Sequence, residues 1–268
     1  MIYEALHDFP AKTLSIEYDN LAALRALPNF ADLRKRYLGQ PLHDLQVAFA
    51  SAGIAEDQIH EIAIGSPVPN AGASNTYGVF FGRFNIAPKD MVKAQIGQAS
   101  VYCLSTEKGG LCFMQLDRAI GAFGTYGRLK SLLDVRQGIA PGIASNQTFA
   151  GLLASTQASA PLRGVSDGSQ IGNYVKEIVP TQAKDLVDWP KLFSSVSAFA
   201  YDIKLDSKAH LGLQLECKSE TAASALSQLL HVMGSLQSAT GGSQIRNFEV
   251  ESSGTRVTLK LDSEIPAG

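Results

Sequence analysis

The chain has 268 residues, of which 45% are hydrophobic, and its formal net charge is −2. This size allows one large domain or two of ordinary size. The absence of a basic surplus argues against a nucleic-acid binder. Charged residues make up only 18% of the chain, against about 25% in an ordinary globular domain. A surface with so few charges is typical of an exported protein or of a protein that buries much of its surface in partners. It can also result from compositional drift alone.

Residues 1–12 carry acids, His and Pro, so they do not read as a signal peptide. The chain is then either cytoplasmic or the mature part of a longer precursor, and we favour export with the leader missing from this chain. No apolar stretch approaches the roughly 18 residues of a membrane span, so we expect no membrane span in this chain.

The N-terminal half alternates between strand-like and helix-like patterns. We predict a helix over 88–97, because Pro88 suits a first helical position and Met91, Val92 and Ile96 follow at helical spacing. The other predicted elements are strands over 13–18, 58–64, 77–84, 100–106, 111–117 and 118–123, and helices over 29–39, 42–53 and 125–136.

The stretch TYGVFFGRFN, residues 76–85, is apolar on both faces of its predicted strand. Tyr77, Val79 and Phe81 point one way, and Phe80 and Phe84 point the other. Several exposed large apolar side chains would form a patch that monomers avoid. We therefore expect this sheet to be covered on both sides. The helices over 29–53 and 88–97 can supply one layer, and the 138–160 segment, the C-terminal part or another subunit can supply the other.

Three cysteines give no readable disulfide framework. Cys103 and Cys112 lie on either side of the turn EKGG, but a loop of two or four residues places Cys112 opposite Ser105. Cys103 is then on the diagonal, where bridging geometry is poor. Cys217 continues a run of alternating leucines and is expected to be a core thiol.

The C-terminal part shows the order strand, strand, helix, strand, strand. Phe199 to Leu205 and Leu211 to Cys217 alternate with polar residues, as in a half-exposed antiparallel hairpin. Ser219 stands at the N-cap of an apolar-striped helix, and a second hairpin follows. The second sheet face carries mixed charges typical of a face in water: Asp202, Lys204, Glu216, Lys218, Glu249, Arg256 and Lys260.

The middle of the chain repeats this order in pattern only. The fold class predicted is α+β, with two ββαββ-type, ferredoxin-like antiparallel sheet units and helices packed on them. The predicted domains are 1–137, with its sheet covered on both faces, and 191–268, with one exposed sheet face. Between them, 138–190 reads as a connector whose first 23 residues carry no charge, with a short helix at Phe149, Leu152 and Leu153, and we place the boundary near 180–195.

The search for reactive groups returns little. None of the five histidines lies three to five residues from another, so no metal site is expected. No serine elbow, Walker A loop or kinase signature occurs. We predict no cofactor and no catalytic residue. Glu56 and Asp57 are adjacent in a predicted turn, so their side chains are expected to point apart. Glu249 and Glu251 share a face of the exposed sheet, where a row of charges is ordinary.

The strongest binding candidate is GAFGTYGRLKS, Gly121 to Ser131, which follows a predicted strand and opens a helix. Backbone N–H groups at such a start can hold an anion, and the cations add charge. The alternative is that these glycines serve an edge strand and a turn. The candidate binding residues are Arg83, Arg118, Tyr126, Arg128 and Lys130. Arg83 is the one charge on the two-faced strand.

The segments FFGRFNIAPKDM and LCFMQLDRAIGAFG resemble a pattern found in uncharacterised exported proteins of bacteria. There a Gly-Arg-Phe strand end leads into a helix and an Asp-Asp-Arg turn leads into a Gly-ended strand. This chain has Leu116-Asp117-Arg118 at the turn. The resemblance covers residues 57–137 and implies export, with no activity.

The sequence favours a non-enzymatic binding or assembly module, exported, that acts through an uncharged surface. Its partner is an unknown protein or a second copy of the chain, as in a dimer. The alternative is a ferredoxin-like enzyme or ligand sensor with an anion site near residues 121–130.

Overall fold

The structure is a computed structural model that describes residues 7–27, 39–67, 76–88, 91–105, 109–171, 193–239 and 245–264. The chain divides into two compact units, Met1–Asn146 and Gln147–Ala267. It is an α+β protein dominated by antiparallel sheet, as predicted. The boundary predicted near 180–195 falls largely on residues outside these ranges, and so does the helix predicted over 29–39.

In the first unit, seven strands pair in the order β1-β2-β3-β7-β6-β5-β4, and every neighbouring pair is antiparallel. The strands are β1 Ser15–Asp19, β2 Ile59–Ser66, β3 Tyr77–Gly82, β4 Val92–Ile96, β5 Ala99–Cys103, β6 Leu111–Asp117 and β7 Ile120–Thr125. The helices are α1 Leu21–Arg25, α2 Gly39–Ser51 and α3 Tyr126–Arg136, with 3-10 turns at Glu56–Gln58 and Ile143–Ser145.

The helix predicted over 88–97 is wrong. Val92–Ile96 is strand β4, which pairs with β5 around a tight turn. Gly97 in that turn has a φ of 59°, a left-handed value that glycine adopts without strain. Five residues of mixed polarity carry too weak a period to distinguish helix from strand, and pairing with β5 decides the outcome. The duplication of one ferredoxin-like ββαββ unit is therefore not confirmed.

The two-faced strand β3 is covered on both sides, as predicted. Val79 and Phe80, which point to opposite faces, are both fully buried. On the Phe80 face, α2 packs through Phe49, whose ring contacts Phe80, Phe113 and Phe123. Because α2 belongs to the predicted 42–53 helix, the prediction that this helix covers one face of the sheet is correct.

The cover of the other face includes an element that the sequence did not suggest for it, helix α3, while the 138–160 segment takes part only at its start, where buried Ile143 donates its N–H to the Phe9 carbonyl. Helix α3 packs on β7 and β6 with Leu129, Leu132 and Val135 buried. The segment before β1 joins it, since the ring of Phe9 meets that of Tyr77 edge-on at 5.5 Å. The chain thus covers this face from within its own first unit, without a second subunit.

In the second unit, five strands pair in the order β8-β9-β10-β12-β11, again antiparallel throughout. The elements are helix α4 Gln147–Ser155, strands β8 Leu162–Asp167, β9 Val196–Leu205 and β10 Lys208–Cys217, helix α5 Glu220–Ala239, and strands β11 Ile245–Ser253 and β12 Arg256–Glu264. The order from β9 to β12 agrees with the prediction. The predicted connector supplies α4, as expected, and also β8, which was missed.

One face of the second sheet packs against α5, with Phe199, Leu215, Leu226 and Val257 in the core. The Ser219 hydroxyl caps α5 by accepting from the Ala222 N–H at 3.2 Å. On the opposite face the predicted charges Lys204, Glu249 and Lys260 are exposed. The part of this face on β9 is not in water as predicted, because α4 packs on β9, Ala200 is fully buried and Asp202 is only 9% exposed. Gly212 lies across from Asp202 on β10, and a β-carbon there would stand 2.9 Å from its carboxylate. The missing side chain leaves room for this buried acid.

Candidate functional site

The glycine-rich segment adopts the strand-to-helix turn that the sequence predicts. Gly124 has a φ of 152°, and a β-carbon there would meet Tyr77 at 2.8 Å, so glycine is required for close packing. Thr125 follows as the N-cap of α3 but makes no side-chain cap hydrogen bond. The first turn of α3 carries no acidic residue. The helix start is therefore electropositive and open to an anion.

Arg128 is held by the protein itself. Its guanidinium lies over the ring of Tyr77, 5.7 Å from the centroid, in a cation–π arrangement. The Tyr77 hydroxyl and the Thr13 hydroxyl are 2.5 Å apart, and Thr13 donates to the Pro10 carbonyl at 2.6 Å. Because the Thr13 hydrogen is used there, Tyr77 is the donor to Thr13. Burial raises the pKa of Tyr77, while the Thr13 hydrogen bond and the Arg128 charge act in the opposite direction.

The other two candidates on α3 also have partners. Lys130 forms an i,i+4 ion pair with Asp134 at 2.7 Å. The Tyr126 hydroxyl donates to the backbone carbonyl of Gln95 on β4 at 2.6 Å. Each of the three residues on α3 is thus engaged in a contact that stabilises the unit.

Arg83 and Arg118 lie elsewhere. Both are exposed, and the Gly82 N–H donates to the Ala119 carbonyl, so the two arginines flank the same end of β3 and β7. Helix α3 begins at the other end of β7, six residues away, or roughly 20 Å at the usual rise per residue. The five predicted residues therefore form two groups rather than one site.

A pair of acids on β1 was missed by sequence reasoning. Glu17 and Asp19 lie two residues apart on one strand, so their side chains share a face. Asp19 is 2% exposed, and its Oδ1 has no hydrogen-bond partner within the described ranges. Burial, and then the charge of Glu17, raise the pKa of Asp19 well above its ordinary value. Glu17 keeps contact with water, yet the surrounding protein also raises its pKa. The alternation in SIEYD places both acids on one face of the strand but does not indicate that Asp19 is buried.

A polar network at one end of the second sheet was also missed. His210 Nδ1 lies 2.7 Å from Asp262, and its Nε2 lies 3.2 Å from Asp206. Asn247, at a positive φ of 51°, donates to the other oxygen of Asp262 at 2.6 Å. These carboxylates raise the pKa of His210, chiefly through the Asp262 hydrogen bond. Both ring nitrogens are occupied, which suits a structural tie better than proton transfer to a substrate.

The cysteine interpretation needs correction. Cys103 and Cys112 lie directly opposite each other on β5 and β6 and form a disulfide. The Leu104 N–H donates to the Leu111 carbonyl, so the next pair inward, Cys103 with Cys112, is a non-hydrogen-bonded pair with close side chains. The sequence estimate assumed a different loop length. Cys217 is a free, buried thiol, as predicted.

Within the described residues, no group of three or more His, Cys, Asp or Glu side chains is arranged to hold a metal ion. A small cavity of about 30 Å³ lies between α1, α2 and β2, lined mainly by Leu21, Phe49, Ile59 and Ile62. It is apolar and offers a ligand few polar contacts. No helix in the described part of the chain is long and apolar enough to cross a membrane.

No protein-family model, curated protein or solved structure matches the chain. The class that the fold defines is a two-unit α+β protein with antiparallel sheet.

Proposed function

We propose that the chain is a non-enzymatic assembly module, exported, that associates with a second copy of itself through the outer face of α5. One observation carries this proposal. Among the 20 residues of α5, Glu220 is the only Asp, Glu, Lys or Arg, and His231 is the one other ionisable residue. Over 220–235, where the side chains of this helix are described, the exposed ones are Glu220, Thr221, Ser224, Ala225, Gln228, His231, Val232 and Ser235.

Helix α3 of the same chain provides the comparison. It has four charged residues among eleven, Arg128, Lys130, Asp134 and Arg136, which is ordinary for a solvated helix. The outer face of α5 instead presents small and amide side chains around Val232, which is 55% exposed. Charged residues are depleted at the cores of protein interfaces, so this composition favours contact with protein over contact with water.

A second copy is the partner that this face fits. A surface with almost no charge offers nothing that would select an acidic or basic partner. Two identical neutral faces meet without repulsion across a two-fold axis, the commonest symmetry of soluble oligomers. Small side chains such as Ser224 and Ala225 allow two helices to approach closely. Val232 supplies an apolar anchor on each side.

Export is the second part of the proposal, and the Cys103–Cys112 disulfide supports it. Disulfides form and persist in oxidising compartments and are rare in reducing ones. The resemblance of residues 57–137 to exported bacterial proteins points the same way.

The test is the molar mass of the full chain by light scattering over a range of concentrations. We expect a concentration-dependent dimer, which Val232→Glu shifts to monomer by burying a charge at the interface. Ile139→Glu is the matched control, because Ile139 is 71% exposed but lies outside α5. A chain that stays monomeric at every concentration, or a dimer that survives Val232→Glu, would contradict the proposal.

The alternative is an enzyme or ligand sensor with an anion site at residues 121–130. The observation in its favour is the uncapped start of α3, with Arg128 one turn into the helix. The contacts of Arg128 and Lys130 within the chain count against it. Inorganic phosphate separates the two candidates: the alternative expects a rise in melting temperature that Arg128→Ala abolishes, whereas the assembly proposal expects no rise.

A further inference from the structure

The hairpin β4–β5 forms the outer edge of the first sheet and is attached to it by a short ladder. In the described ranges, β4 pairs only with β5. Strand β5 in turn pairs with β6 over three residue pairs: Val101 with Met114, Tyr102 with Phe113, and Cys103 with Cys112. One further backbone hydrogen bond joins Leu104 to Leu111.

Apart from the chain segment that joins β5 to β6, the disulfide is the one covalent link between this hairpin and the strand it lies on. Apart from the strand ladder, the described residues of the hairpin make one other polar contact with the rest of the unit, the exposed hydrogen bond from Tyr126 to Gln95. Strand β6, by contrast, is held on its far side by β7 over six residue pairs. The mechanical boundary therefore runs between β5 and β6.

The hairpin covers a fully buried apolar surface. Val101 on β5 is inaccessible to solvent, as are Phe113 and Met114 on β6. Phe113 continues into the aromatic cluster around Phe49 at 5.1 Å. Removing the hairpin would expose a strand edge beside these side chains, and such an edge can accept another strand.

We propose that the Cys103–Cys112 disulfide is a redox-controlled latch that keeps the β4–β5 hairpin closed on β6. A dithiol reductant supplies the two electrons. One of its thiolates attacks one cysteine sulfur, which releases the other cysteine as a thiolate and forms a mixed disulfide. The second thiol of the reductant then attacks its own sulfur in that mixed disulfide and displaces the first cysteine. The products are two protein thiols and the oxidised reductant, so atoms and electrons balance.

Both cysteines are buried, so reduction begins from a local opening that exposes one sulfur while the bond still holds the hairpin on β6. Once the bond is broken, the remaining ladder must hold the hairpin alone. The release is local, because the strand pairings β1–β2, β2–β3, β3–β7 and β7–β6 do not involve this bond. This inference does not depend on self-association or on export.

Hydrogen exchange of the full chain, followed by mass spectrometry, tests the latch in a Cys217→Ser background that removes the free thiol. Reduction with dithiothreitol should speed the exchange of backbone amides in 92–104 by roughly 30- to 100-fold, the loss of closure expected for a loop of this length. Amides of β2 and β3 should keep their rates. The Cys103→Ala/Cys112→Ala double variant should reproduce the reduced pattern without reductant.

Three outcomes would overturn the latch: unchanged exchange in 92–104 after reduction, an equal acceleration across the whole first unit, or alkylation of both cysteines in the protein as isolated. If the double variant does not fold, the reduced wild-type arm still decides the matter. Tyr126→Phe in the oxidised state is the matched control. It removes the other polar tie and should leave the hairpin closed.

Discussion

The ring of Phe80 on β3 lies directly over Gly121 on β7, in the space where a side chain at that position would stand. A β-carbon on Gly121 would overlap the ring at its far edge. The same relationship holds beside it, where the ring of Phe123 fills the space above Gly78. Glycines on β3 and β7 therefore make room for the aromatic rings that fill the Phe80 face of the sheet.

Gly121→Ala should destabilise the first unit by about 1–3 kcal/mol, since the added methyl must displace a fully buried ring. Urea unfolding monitored by circular dichroism measures the loss. Gly127→Ala on α3 is the matched control, because a β-carbon there meets nothing within 4 Å. It should stabilise by about 0.4–1 kcal/mol. Equal effects of the two substitutions would contradict the packing argument.

Tyr77→Phe should destabilise by about 1–2 kcal/mol, because it removes a buried hydrogen bond to Thr13 while the ring, Phe9 and Arg128 keep their contacts. Tyr126→Phe removes a hydroxyl that bonds the Gln95 carbonyl at the exposed surface, so it should cost less. Chemical denaturation of both variants provides the comparison. A larger loss for Tyr126→Phe would show that Tyr77 does not anchor the N-terminal segment.

Asp19→Asn should stabilise the protein at neutral pH and flatten its pH dependence. The pKa of Asp19 is raised well above its ordinary value of 3.8 by burial and by Glu17, so the native carboxyl retains its proton to a higher pH than the unfolded one. The corresponding stability is fully present below the unfolded pKa and is lost as pH rises through the folded pKa. We expect a gain of about 1 kcal/mol or more at pH 7, where wild type is penalised.

The measurement for Asp19 is the free energy of unfolding at several pH values between 3.5 and 8. Wild type and Asp19→Asn should converge at the acid end and diverge toward neutrality. Asp134→Asn, which affects an exposed ion pair with Lys130, serves as the control and should change little. Parallel curves for wild type and Asp19→Asn would mean that Asp19 is not the source of the slope.

The His210 network should give the second unit the same sign of pH dependence in a higher range. Asp262 and Asp206 raise the pKa of His210, so its contribution is complete below its ordinary value of 6.5 and disappears as pH rises through the folded pKa. His210→Asn should remove this slope, with exposed His7→Asn as the control. Nuclear magnetic resonance titration of the imidazoles provides the direct measurement, and a depressed His210 titration would contradict the network.

The carboxylates of this network act in the opposite direction. Hydrogen bonds from Asn247 and His210 lower the pKa of Asp262, and the Lys208 N–H, followed by His210, lowers that of Asp206. Their contribution is present above the ordinary carboxyl pKa and is lost as pH falls through the folded values. We therefore expect this network to stabilise the second unit most at pH values above the titration of Asp206 and Asp262 and below the titration of His210.

Sequence periodicity predicted the strands that have one apolar face, such as Phe199 to Leu205. It failed at β4, because Val92–Ile96 is short and of mixed polarity. It also failed at β8, because the charged residue Arg163 is buried there and interrupts the apolar pattern. Pairing partners decide such segments, and partners are remote in sequence.

The candidate site was predictable only in part. The strand-to-helix turn at Gly124 follows from local sequence, and so does the placement of Arg128 in the first turn of α3. That Arg128 would lie over Tyr77 depends on long-range pairing of β3 with β7. Whether Cys103 and Cys112 face each other depends on the register of the loop between them, and the raised pKa of Asp19 depends on its burial. Local patterns report neither property.

The hydroxyl of Tyr126 on the carbonyl of Gln95 has a consequence for the behaviour of the protein at high concentration. Ile96 and Ala99 flank a two-residue turn and bond to each other, so the backbone groups of Gln95 point outward from β5. An outward carbonyl on a border strand invites stacking between neighbouring molecules. Tyr126 occupies that acceptor, and so removes one outward hydrogen-bonding group from the edge strand β4.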